Sequence, residues 1–233
     1  MNNLIECKEA LYEKFVSMKS NLSKEESFDA EKQNLLEIHS LLHEKSVGKQ
    51  SGNTYYELLW ESLHESTCKI ISKKETSIVW DIYHITRIED MISNILMAGK
   101  DEIFDENIQA ELGITIKDTG NAMTAAEIDV FNKQIDIKAL KKYRKLVGIS
   151  TQKILGTLPF GDLKRTVAPE HIEKIRTKGG VVNDEKSIWL LDFWGRKNML
   201  GLITMPITKH QMVHLNDCFN IKNRFNGKSY KNA

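Results

Sequence analysis

Apolar residues recur along this chain at intervals of three and four, the spacing that lines one face of a helix. Leu4, Leu11, Phe15 and Met18 mark a first amphipathic helix. Residues 28–46 mark a second through Leu35, Leu36, Ile38, Leu41 and Leu42. The polar, glycine-containing stretch 45–53 then breaks the pattern, and a short helix is expected over 54–66. Residues 77–98 carry the strongest signal. Ile78, Ile82, Ile85, Ile88, Met91, Ile92 and Ile95 form a broad inward stripe, and Gly99 supplies a stop. The β-branched content would suit a strand, but the spacing and the length favour a helix.

Residues 100–123 read as an irregular connection. Thr124 to Glu127 match a capping box that opens a helix, and 136–156 continue helically. A turn at 158–162 precedes a short helix with Pro169 near its first position, ended by Gly179 and Gly180. The last long helix is expected from about 187 to 224, with a break near Gly195 and a kink or true start at Pro206. Four long helices with two longer crossovers predict an all-α bundle. We divide the chain into an N-terminal helical arm (1–26), a bundle domain (27–226) and a basic tail (227–233).

Composition narrows the function classes. The 233 residues suffice for one large domain with a sizeable core. A net charge of +1 argues against a nucleic-acid footprint. The basic runs 138–145 and 222–231 read as solvated surface. The longest apolar stretch, near 199–207, is short of the ~20 residues a spanning helix needs. The three cysteines, Cys7, Cys68 and Cys218, are odd in number and include no Cys-x-x-Cys pair, which suggests a reducing cytoplasm.

The candidate chemistry lies in seven histidines. His210 and His214 are four apart, so on a helix their β-carbons lie about 5–6 Å from each other on one face. Two ring nitrogens so placed can share one metal at roughly 2.0–2.1 Å each. Spacing alone leaves ligation and buried hydrogen bonding equally open. His84 strengthens the first reading, because it falls in register with Ile88, Met91 and Ile95 and so faces the interior. Three imidazoles leave open positions on zinc, nickel, copper or iron, as catalytic sites do. His39 and His43 form a competing pair, read here as surface or supporting residues for want of a nearby third ligand. Cys218 follows His214 by four and is either a small buried apolar residue or a fourth ligand. His64 and His171 read as surface. Asp81 and Arg87, each three residues from His84, are candidates to orient it. Glu89 and Asp90 read as surface ion pairs. Trp80 reads as core packing or a pocket wall.

Three stretches resemble the DinB-like (YfiT-like) family: Tyr55 to Glu65, Trp80 to Asp90, and Ile207 to His214, in family order and spanning roughly residues 28–226. The resemblance implies a four-helix bundle with up-down-down-up topology. It also implies one divalent ion, zinc or nickel, held by His84, His210 and His214. Family members are often homodimers, described as metal-dependent hydrolases, with relatives that transfer or isomerise with low-molecular-weight thiols. The extra N-terminal segment, the long connections at 100–123 and 157–186, and Pro206 before the ligand pair depart from that pattern. The pair lacks the glutamate of His-Glu-x-x-His peptidases. The function expected is therefore metal-dependent hydrolysis or thiol transfer on a small molecule. The alternatives are a non-catalytic dimeric binding module and a sensor or carrier.

Overall fold

A computed structural model describes residues 2–226; the basic tail 227–233 lies outside the described residues. The described chain is all-α, with no strand. Five long helices organise it: α1 (Asn2–Asn21), α2 (Phe28–Leu41), α3 (Ile78–Asp90), α4 (Ile137–Thr157) and α5 (His210–Phe225). α2 packs on α1 and α4, and α3 packs between α4 and α5.

The expected inward faces are the buried ones. The segment read as an arm forms α1, whose Leu11, Phe15 and Met18 join the same apolar core as the other helices. α3 is buried along its whole length. It starts where Ser77 Oγ accepts from the Trp80 amide at 3.1 Å. Past Asp90 it widens into a π-helical stretch, Met91–Met97, and ends at Gly99 in the left-handed region (φ 67°). A helix buried on every side is usually apolar all round. α3 instead carries Asp81, His84, Arg87, Glu89 and Asp90 into the core, and each must find partners there.

The chain departs from expectation in three places. The connection at 100–123 holds a helix, Glu106–Leu112, capped by Asp105, whose carboxylate accepts from the Ile108 amide at 2.8 Å. The short helix expected over 54–66 is two pieces, Tyr55–Trp60 and Glu65–Cys68, parted by a turn with Ser62 at positive φ. The break expected near Gly195 is present, since Trp189–Gly195 ends there and the chain resumes at Met199. Pro206 neither starts nor interrupts the final helix. It sits inside a second π-helical stretch, Ile203–Lys209, continuous with α5. A π-turn absorbs the missing proline N–H by widening the register, and Thr208 Oγ1 donates to the Ile203 carbonyl at 2.8 Å, five residues back.

Candidate metal centre

α3 and α5 bring His84, His210 and His214 together. Each offers one ring nitrogen, and the three lie within 4.8 Å of one another. The protons on these rings are set by their other partners. His84 Nδ1 lies 2.8 Å from the Thr119 carbonyl, which can only accept, so Nδ1 carries the proton and Nε2 presents a lone pair. His214 Nδ1 likewise donates to Asp81 Oδ1 at 2.7 Å, leaving its Nε2 free. His210 Nε2 lies 3.2 Å from His84 Nε2, and its Nδ1 is buried without a partner. Burial pushes His84 down to about 3, with His214 adding to the shift. Burial, and then His84 and His214, hold His210 well below the usual histidine range. Neutral imidazoles with converging lone pairs are the state a metal ligand requires. The 3.2 Å separation is close to the ~3.3 Å edge of a tetrahedron with metal–nitrogen bonds of about 2.0–2.1 Å. The donor set therefore fits a divalent ion.

The connection at 113–123 aims His84. Three consecutive carbonyls, of Lys117, Asp118 and Thr119, accept from Arg87, Tyr83 and His84 on adjoining turns of α3. Spacing suggested that Arg87 lies beside the site, and it does not. It points the other way, with Nη1 3.0 Å from Glu102 and its guanidinium over the Phe104 ring. Asp81 is also reassigned. It orients His214 and not His84, because one helical turn carries its carboxylate towards α5. Burial raises the Asp81 carboxyl, against the pull of His214. Cys218 lies behind Asp81, with Sγ 3.8 Å from Oδ2. Burial, and then Asp81, push this thiol well above its usual range, so it is not a ready ligand. Trp80 stacks on His84, with ring centroids 4.7 Å apart and planes 8° from parallel. It also lines the cleft of about 410 Å³ into which the imidazoles open, as do Trp189, Phe193 and Trp194.

A second cluster corrects the reading of His39, His43, Glu89 and Asp90 as surface groups. All four are fully buried. His39 Nε2–H donates to Glu89 Oε1 at 2.7 Å and His43 Nε2–H to Oε2 at 3.0 Å. Gln211 adds a third donor at 2.8 Å, and Arg144 Nη1 sits 3.9 Å away. Asp90 accepts from the Ile103 and Phe104 amides and from the Tyr143 hydroxyl. Burial lowers His43 to about 3. Burial would raise Glu89, but the two imidazoles hold it well below the usual carboxylate range.

By residue type this cluster too could hold a metal, but two features oppose it. Its histidine nitrogens already carry the protons that satisfy Glu89, with His39 Nδ1 accepting from Gln152 at 3.0 Å. A guanidinium also lies beside the carboxylate, where a second cation would be repelled. The signal for burial was present in the sequence: Leu35 and His39 share one ridge of α2, with His43 four residues on just past its end, as Ile78, Ile82, Ile85 and Glu89 share one on α3. Gln211 and Arg144 carried no comparable signal. His64 is exposed, as expected, whereas His171 is half-buried.

All three cysteines are free. Among the described residues no helix is long and apolar enough to cross a membrane. Comparison of the chain with protein-family models, with curated proteins and with solved structures returns no match.

Proposed function

We propose that this protein is a DinB-like enzyme. In this reading His84, His210 and His214 hold one zinc or nickel ion, and the chemistry is hydrolysis or thiol transfer on a small molecule. One observation carries it: one ring nitrogen from each of three imidazoles converges at the base of an open cleft, with the Nδ1 atoms of His84 and His214 held by Thr119 and Asp81. A divalent ion bound there acidifies a water molecule or holds a thiolate.

The chain's own residues do the rest. The Thr119 carbonyl and the Asp81 carboxylate keep the Nδ1 protons of His84 and His214 in place, so both rings present Nε2. Trp80 covers one face of His84 and keeps water from it. Removing such an orienting partner typically costs 10–100-fold in metal affinity. Asp81→Asn is expected to weaken zinc binding by about that factor in a chelator-competition titration, with the fold retained.

One observation favours a non-catalytic module instead: among the described residues no carboxylate lines the cleft, where Asn121 lies with the imidazoles among mainly apolar side chains. A turnover screen decides between the two. Zinc-loaded, nickel-loaded and metal-free protein are compared on activated esters, and on a thiol with an electrophilic acceptor. Product formed with loaded wild type, and lost in His210→Ala, supports the enzyme. Saturable binding without product under every condition supports the module.

A further inference from the structure

The cleft over the three histidines is unusual in what it lacks. Its volume, about 410 Å³, is that of a small-molecule site, yet among the described residues no lysine, arginine, aspartate or glutamate lines it. Lys209, next in sequence to His210, places its ammonium over the rings of Tyr12 and Phe15. Lys197 holds its ammonium 4.3 Å from the centroid of Phe193, one of the cleft walls, without entering the lining itself. The walls are aromatic. Trp189 and Phe193 meet edge to face with centroids 5.6 Å apart, and the Trp189 indole N–H donates to the Lys186 carbonyl at 3.0 Å. Trp189 is nonetheless 48% exposed. An indole fixed in place at a cleft mouth offers a flat apolar face that a ligand can cover at little entropic cost. A charged group laid against these aromatic walls, away from the imidazole end, would lose its hydration and meet no lining side chain of opposite charge.

Taking this cleft as the substrate site proposed above, we infer that it accepts a neutral, flat, largely apolar molecule. Such a ligand is an aromatic ring bearing one hydroxyl, thiol or carbonyl, which the imidazole end receives.

Calorimetric titration of metal-free and zinc-loaded protein with 2-naphthol and with glutathione tests this. 2-Naphthol is expected to bind both forms, about tenfold more weakly in Trp189→Ala and near the wild-type level in Trp189→Phe. Glutathione is expected to give no binding heat with the metal-free protein. Because Trp189 is half outside the core, both variants should fold, which circular dichroism checks. Glutathione binding the metal-free protein more tightly than 2-naphthol, or 2-naphthol affinity indifferent to Trp189→Ala, overturns the inference. The metal reading fails separately. Protein that retains no zinc but binds 2-naphthol refutes the metal centre alone, and protein that retains zinc but ignores 2-naphthol refutes the ligand class alone.

Discussion

Glu89→Ala is expected to lower the unfolding free energy by about 3–5 kcal/mol, the cost of removing one partner from a buried charged pair. This would be a large part of the roughly 5–15 kcal/mol that holds a domain of this kind together. Glu89 is the common acceptor for His39, His43 and Gln211 and the counter-charge to Arg144. Without it, three donors and a guanidinium are stranded in the core between α2, α3, α4 and α5. Nor can the neighbours relax to fill the gap. A β-carbon at Gly148 would already lie 2.6 Å from His43 Nδ1, so the imidazole is wedged against bare backbone. Glu89→Gln keeps the shape and one acceptor oxygen and should lose less.

Acid should act on the same cluster. His43 is held neutral, with its folded value about 3 against an ordinary 6.5. Its stabilisation is therefore complete above about pH 6.5 and is lost as pH falls towards 3. By pH 5 that one group withdraws roughly 2 kcal/mol. The depressed Glu89 carboxyl adds loss in the same direction below its ordinary range. Urea unfolding at about pH 7 and pH 5, wild type beside both variants, measures all three effects. A Glu89→Ala midpoint equal to wild type, together with loss of bound metal, would instead make His39, His43 and Glu89 the metal centre.

Periodicity makes the helices legible because each inward face is set locally, by spacing. The two long-range features are not legible for the same reason. His84 can be assigned inward from Ile88, Met91 and Ile95, but its tautomer depends on a carbonyl 35 residues away at Thr119. Asp81 falls on the correct helix in the sequence but pairs with the wrong histidine there, because spacing along α3 says nothing of how α5 lies against it. His39, His43 and Glu89 are misplaced by a prior about residue type. Histidine and glutamate on an amphipathic helix usually face water, and only their ridge-mates Leu35 and Ile85 say otherwise. Pro206 misleads in the opposite way. A proline inside a helix predicts a break, and the π-helical register that accommodates it leaves no mark in the hydrophobic pattern.

His84→Ala and His210→Ala should each reduce bound zinc or nickel from about one equivalent per chain to background, a larger loss than the 10–100-fold expected when an orienting partner is removed. Each takes away one of three ligands, and no other histidine, cysteine or carboxylate lines the cleft to replace it. The fold should survive both changes. His210 lies at the cleft and has an orphaned Nδ1, so its removal strands no donor. His84 gives up one hydrogen bond, to Thr119, while Arg87 and Tyr83 still hold the same loop.

Metal should also stabilise the wild type by mass action, by about 2.7 kcal/mol at a free concentration one hundred times Kd, and should leave both variants unmoved. Elemental analysis of untagged protein, followed by thermal unfolding with and without added zinc, reads both quantities. Wild type that takes up neither zinc nor nickel would reduce the three histidines to a core packing motif. Metal retained in His84→Ala but lost in His39→Ala would move the centre to the other cluster.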